Sequence, residues 1–419
     1  MVYPLSESST YERLQRMSAR VALLVVGAPA VVCLVVAIRL PGCRAQESPS
    51  SPATSTARIP LPEVSKDVVS KNLAACQEVI SRFERLALPS DRVAADVFHG
   101  ILACGPLLRL IDRQTRDTVP VSAYCRRWFA PFSTPQPLKY MDASLGKEGH
   151  AAQFVYCYME GHRLVGGAAQ AHPDRPLLAA CQYEKRECHG MMDLAWFVPA
   201  FCLSGDTEPF SNRFGERIDA NYLVRYLVQQ SRTPLDEQPC HGTHNLYALG
   251  MARRYLASKV SGQVFAELDA EWNGRLNGVL GAIGPSGDFD VRSFLAVEGP
   301  SPGWYRLTYP GVTGHVIIAL VAGGDTELLR AEPLHLLVSS TIKHCLSEDV
   351  WPSAGQWLND GSAVGRRYIA MAHVVYGFRL YREAVEDLWP DLSGPTQLGA
   401  REARNGPSRR TASGPTRRP

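Results

Sequence analysis

Two cysteines in this chain of 419 residues stand immediately before a histidine–glycine pair, as Cys188-His189-Gly190 and Cys240-His241-Gly242. Thiolate and imidazole are ligands that zinc favours, and two cysteines with one histidine leave the fourth tetrahedral position open, as catalytic zinc sites do. Cys188, Cys240 and His241 therefore form a candidate zinc site. A strong metal motif carries two close ligand pairs, which this one lacks, so packed thiols with a capping histidine are the alternative. Other cysteines, such as Cys104 in GILACGPLL and Cys202 in PAFCLSG, lie in apolar runs and read as small buried hydrophobes. The total of eleven is odd, which fits a fully paired disulfide framework poorly.

Histidine offers a second chemistry. His150, His244 and His315 are candidate general acids or bases, because imidazole titrates near neutral pH. Glu148 and Asp193 are the carboxylates that could work with them. Capping of a helix or bonding to a neighbouring loop would account for the same histidines. Tyr247, Trp196 and Tyr305 could stack on a sugar or lipid, or simply fill the core. The acidic pair in GPSGDFDVRSF, Asp288 and Asp290, reads as a solvated turn. GAIGPSGDFD lacks the lysine of a phosphate-binding loop, and no G-x-S-x-G elbow is present.

These residues recur with the helices that must carry them. From Val64 the run VSKDVVSKNLAACQEVISRFERLAL spaces Val64, Val68, Cys76, Val79, Phe83 and Leu86 along one helical face, with charged residues on the other. Residues 218–230 and 264–280 read similarly, and 333–345 opens with a proline suited to a first helical turn. Residues 98–111, 191–203 and 315–322 are apolar nearly all round, so helices there must be buried on every side. Strand signals are scarce. Each apolar helix is expected to start near a histidine: His99, His150, His189, His241 and His315, with Arg366 in the sixth place. The spacings from His99 are 51, 39, 52, 74 and 51 residues, a period suited to a repeated helical pair.

Six such pairs predict an all-α fold, an (α/α)6 toroid of six helical hairpins with apolar helices inside and amphipathic ones outside. Closure would gather the inner N-termini, with their free N–H groups and partial positive charge, at one mouth of a central cavity. This arrangement over residues 64–390 resembles the α/α-toroid superfamily of terpenoid cyclases, protein prenyltransferases and lanthionine cyclases. The segments GHAAQFVYCYMEG, CHGTHNLYALGMARRYL and GRRYIAMAHVVYGFRLYRE are also similar to uncharacterised bacterial membrane-anchored toroid proteins. The likeness to lanthionine cyclases implies Cys188, Cys240 and His241 as zinc ligands. Toroids also host glycan hydrolases and lyases, which would suit the histidine reading. The expected function is ligand binding in a histidine-lined central cavity, with a small molecule or glycan as ligand. The alternatives are a zinc enzyme of lanthionine cyclase or prenyltransferase type and a non-catalytic scaffold.

Composition frames these readings. The chain is 45% hydrophobic and 20% charged, which is globular, and its net charge of +3 comes from arginines in the tails, so no nucleic-acid partner is expected. After a short segment at 1–20, residues 21–40 form the expected transmembrane anchor; Val21 to Ile38 carry no charge, nearly enough to cross about 30 Å of hydrocarbon. Arg13, Arg16 and Arg20 precede it, while Arg39 and Arg44 follow. That bias favours a single-pass protein whose main domain is extracytoplasmic, or periplasmic. Cleavage near Ala45, or lipidation at Cys43 in Leu40-Pro41-Gly42-Cys43, are the other outcomes. Residues 41–63 form a Pro/Ser/Thr-rich linker, and the basic tail at 391–419 reads as disordered.

Overall fold

The computed structural model describes residues 60–392, except 93, 130–151, 167–174, 191, 236–237, 239–241, 292–293, 295–304, 348–350 and 352–361. The expected anchor at 21–40 lies outside the described residues; within them, no helix is long and apolar enough to cross a membrane.

The described chain is mostly helical. In order it forms α1 (Lys66–Glu84), α2 (Ala94–Cys104), α3 (Val121–Phe129), α4 (Gln153–Gly166), α5 (Arg175–Glu187), α6 (Leu194–Leu203) and α7 (Ala220–Ser231). There follow α8 (Thr243–Leu256), α9 (Gly262–Gly281), α10 (Tyr305–Ala322), the short α11 (Thr326–Arg330), α12 (Glu332–Leu346) and α13 (Ser362–Leu388). Local chemistry sets several boundaries. Side chains of Ser65, Asp193, Asp219, Ser261 and Asp325 accept from first-turn N–H groups that the helix itself leaves unpaired. Pro333 occupies the first turn of α12, where its missing N–H costs nothing.

Two kinds of helix alternate. On α1 the buried residues Val69, Leu73, Cys76, Ile80 and Phe83 form one stripe. On α6 every residue from Leu194 to Cys202 is buried, and on α8 every residue from Thr243 to Ala252. The buried helices pack in sequence: α2 on α4, α4 on α6, α6 on α8, α8 on α10, α10 on α13, and α13 back on α2. The amphipathic helices lie against them, with α1 on α12 and α13, α7 on α6, α8 and α9, and α12 on α10.

The structure corrects two helix starts and one end. The apolar run at 98–111 is not one helix. Gly105 takes a left-handed φ of 52°, Pro106 follows, and the chain turns into a strand. That strand, β2 (Arg109–Ile111), pairs in parallel with β1 (Ala87–Pro89) and antiparallel with β3 (Thr118–Val119). A hairpin of β4 (Phe210–Ser211) and β5 (Arg217–Ile218) completes the strands among the described residues. His99 is the sixth residue of α2 and His315 lies midway along α10, whereas α13 begins at Ser362, one turn before Arg366 and as expected. Gly-His is thus not a start signal for these helices.

Glycine permits the closest helix approaches. A β-carbon on Gly314 would lie 2.7 Å from the backbone nitrogen of Val374, so α10 and α13 meet backbone to backbone. We expect Gly314→Ala to cost about 1–3 kcal/mol by forcing those helices apart. Gly278→Ala on α9, where the new methyl meets nothing, should instead gain up to about 1 kcal/mol from helix propensity. Urea unfolding of the two variants checks the contrast.

His335 on α12 is fully buried, donating from Nε2 to the Leu329 carbonyl at 2.8 Å and accepting from the Tyr381 hydroxyl at Nδ1, 2.7 Å away. Burial pulls its pKa down to about 4, against the smaller opposing effect of the Leu329 bond. The unfolded chain therefore binds a proton more readily, and stability falls as pH drops from about 6.5 to about 4. The loss should approach about 3 kcal/mol for this residue. Denaturation midpoints of wild type and His335→Phe across that range should converge as the wild type weakens.

Candidate metal centre

Six side chains, one from each buried helix, meet at one level of the core: His99, Gln153, Trp196, His244, His315 and His373. Neighbouring rings follow one another in space. His99 and His373 have centroids 4.6 Å apart, His373 and His315 3.7 Å, His315 and His244 4.8 Å, and His244 and Trp196 4.8 Å. The Gln153 amide nitrogen lies 3.3 Å from Nε2 of His99. His99, Gln153, Trp196, His244 and His373 are buried, and His315 is half-buried.

Helix backbone orients the imidazoles. Nδ1 of His99, His315 and His373 each lies 2.6 to 2.9 Å from the carbonyl four residues earlier, on Ala95, Gly311 and Ile369. A carbonyl only accepts, so Nδ1 carries the hydrogen and the neutral ring presents its Nε2 lone pair inward. Burial, followed by the neighbouring His315, His99 and His244, holds the His373 pKa well below the usual imidazole value, so its ring is neutral. Its Nε2 is buried with no hydrogen-bond partner among the described residues. Nε2 of His315 lies 2.9 Å from Nε2 of His244; with the His315 Nδ1–H committed to the Gly311 carbonyl, His315 accepts there and His244 donates, and a metal ion would take the place of that proton.

His244, His315 and His373 offer ligand atoms that all lie within 4.8 Å of one another, and the trio could hold a metal ion. Donating the other ring nitrogen to a backbone carbonyl is what metal-bound histidines commonly do, because it fixes the ring and raises ligand basicity.

One turn further along three of the same helices, Tyr156, Tyr247 and Tyr376 bring their hydroxyls together. Tyr156 bonds both others, Tyr247 and Tyr376 are 3.2 Å apart, and Tyr376 donates to Glu160 at 3.2 Å. Burial foremost pushes all three phenols well above their usual pKa, so they stay protonated. Another turn on, Arg163 forks onto Glu160 at 2.6 and 2.9 Å and onto Glu383 at 2.8 and 2.9 Å. Burial works against the Arg163 charge, but the two carboxylates outweigh it and raise its pKa. A cavity of about 100 Å³ opens here, lined by Glu160, Arg163, Tyr247, Arg254, Glu383 and Asp387 among others. It lies at the carboxyl ends of the buried helices, beyond the tyrosines from the histidine level.

The sequence candidates divide. His244 and His315 come together, joined by His373 and His99. His150, Glu148, Cys240 and His241 lie outside the described residues, as does the side chain of Tyr305. Cys188 follows α5; it is buried, and its thiol pKa is pushed up by burial, then by Glu184 and Glu216. It belongs to no metal-capable group among the described residues. All eight described cysteines are free thiols, seven of them buried. Asp193 caps α6 through the Ala195 N–H at 3.0 Å. Trp196 and Tyr247 are buried against the histidines and tyrosines rather than offering an open stacking face. Asp288 sits in a turn, where Ser340 and Ser286 hold its carboxyl below the usual range.

Sequence reasoning missed His373 and Gln153 as members of this level. The signal available was a four-residue echo: Gln-Phe-Val-Tyr at 153–156, His-Asn-Leu-Tyr at 244–247 and His-Val-Val-Tyr at 373–376. Each places a nitrogen side chain one turn ahead of a tyrosine on one helical face.

Compared with known proteins, the chain matches no family model, no curated protein and no solved structure.

Tyr376→Phe would remove the donor to Glu160 and one partner of Tyr156 while leaving the ring in place. Leaving buried polar atoms unpaired should cost about 1–3 kcal/mol. Chemical denaturation of that variant is the check, and an unchanged midpoint would deny the tyrosine level a structural role.

Proposed function

We propose that the protein is a metal-binding (α/α)6 toroid, tethered to a membrane by its N-terminal span, with a zinc-class ion held by His244, His315 and His373. The observation that carries this reading is the trio itself: ligand atoms within 4.8 Å of one another in the core, with the outer nitrogens of His315 and His373 already occupied by helix carbonyls. Three imidazoles suit zinc, copper, iron or nickel, and three protein ligands on zinc leave a position for an exogenous one. Ligand binding at the histidine level thus becomes binding at a metal. The return of α13 onto α2 after five successive pairings supports the toroid. The membrane tether rests on the uncharged run at 21–38.

The trio is favoured over Cys188, Cys240 and His241 because burial disfavours a thiolate at Cys188, while the imidazoles are neutral ligands that need no deprotonation there.

The full chain, purified without a histidine tag, should carry about one equivalent of zinc-class metal by mass spectrometry, falling below about a tenth in His315→Ala/His373→Ala. Cobalt substitution separates the two ligand sets. Imidazole ligation gives visible d–d bands alone, whereas thiolate ligation adds intense near-ultraviolet charge transfer. Wild-type protein that takes up no metal under any loading condition would sink the reading and leave the scaffold alternative.

A further inference from the structure

His244, His315 and His373 come from α8, α10 and α13, three consecutive members of the cycle of buried helices. An ion held by them has the opposite helices, α2, α4 and α6, across from it, and these bring His99, Gln153 and Trp196 to the same level. Any fourth ligand must come from that side.

The Gln153 side chain there is incompletely used. Its residue is 2% exposed, and its amide nitrogen points at Nε2 of His99, 3.3 Å away. The amide orientation follows from chemistry: the His99 Nδ1–H is committed to the Ala95 carbonyl at 2.6 Å, so Nε2 accepts and the glutamine must donate. Its carbonyl oxygen, Oε1, is then left buried with no hydrogen-bond partner among the described residues. A buried acceptor without a donor is costly, and a bound molecule is a common way to satisfy it. His373 shows the complementary deficit, a buried Nε2 lone pair with no partner among the described residues. A metal answers the second atom, and a hydrogen-bearing ligand on that metal answers the first.

Resting on the metal reading above, we infer that the ion keeps its fourth position for an exchangeable small ligand that carries a hydrogen, water in the resting state, and that Gln153 Oε1 accepts that hydrogen. His99 is the positioning residue that fixes the Gln153 amide. The ligand class that fits is a small donor on a metal-binding atom: water, hydroxide, or a deprotonated sulfonamide nitrogen that retains one N–H.

Two probes of the cobalt-substituted full chain test this by visible absorption. Azide binds metals through a nitrogen with no hydrogen, whereas methanesulfonamide binds as an anion whose nitrogen keeps one. Both should shift the wild-type spectrum saturably. Gln153→Leu should weaken methanesulfonamide about tenfold and leave azide within about twofold, because only the sulfonamide loses an acceptor. Gln153→Met, closer in shape, serves if the leucine variant fails to fold. Cobalt that binds but ignores both probes means a closed site and overturns the inference. Equal effects of Gln153 substitution on both probes overturn the role of Oε1. Absence of any cobalt spectrum in the wild type is the separate failure of the metal reading.

Discussion

Burying an imidazole is costly unless its nitrogens find partners, and this core gathers four of them at one level. Helix geometry provides half of the answer. A histidine on a helix can turn its Nδ1–H back to the carbonyl four residues earlier, and His99, His315 and His373 all do so. That arrangement needs no loop and no second side chain. It also commits the other nitrogen of each ring to the interior, so the remaining lone pairs face one another. Those lone pairs are answered by the Gln153 amide at His99 and by a hydrogen bond between His244 and His315, and His244, His315 and His373 together form a group that could hold a metal ion.

The levels beyond the histidines brace them. Tyr156, Tyr247 and Tyr376 are rigid side chains whose hydroxyls join α4, α8 and α13. Arg163 then clamps Glu160 of its own helix and Glu383 of α13 in one planar fork, a geometry that lysine cannot reproduce. The result is a graded interior, from neutral nitrogens through phenols to a charged cluster beside the cavity at the carboxyl ends. Glu160 is buried, and its charge is met by the half-buried Arg163 and by the Tyr376 hydroxyl.

Much of the helical character was legible because burial on all sides and burial on one side leave different sequence patterns. HVIIALVA and LAWFVPAFCL have no polar face, whereas the α1 sequence has one, and the alternation of these two kinds was visible along the chain. Helix starts were less legible. The Gly-His pairs drew attention as start signals, yet Gly314 matters for the close approach of α10 to Val374, and His315 sits beside it midway along the helix. His373 was hidden for the same reason: Arg366 filled the expected register, and the helix carried His373 two turns later. Gln153 escaped notice because glutamine titrates nothing and ligates poorly. Its role comes from an unanswered carbonyl oxygen, which only coordinates reveal.

The last described helix also settles the order in which this interior can assemble. α13 packs on α1, α2 and α10, and Lys66 near the start of the described chain pairs with Asp391 near its end, 325 residues away. On a ribosome the chain emerges amino end first, so α13 is the last of the described helices to arrive. Docking of that final element closes the seam, seats the Glu383 carboxylate on Arg163 and delivers His373 in one event. A product cut short before α13 would lack the helix that packs on both α2 and α10, and with it His373 and Glu383.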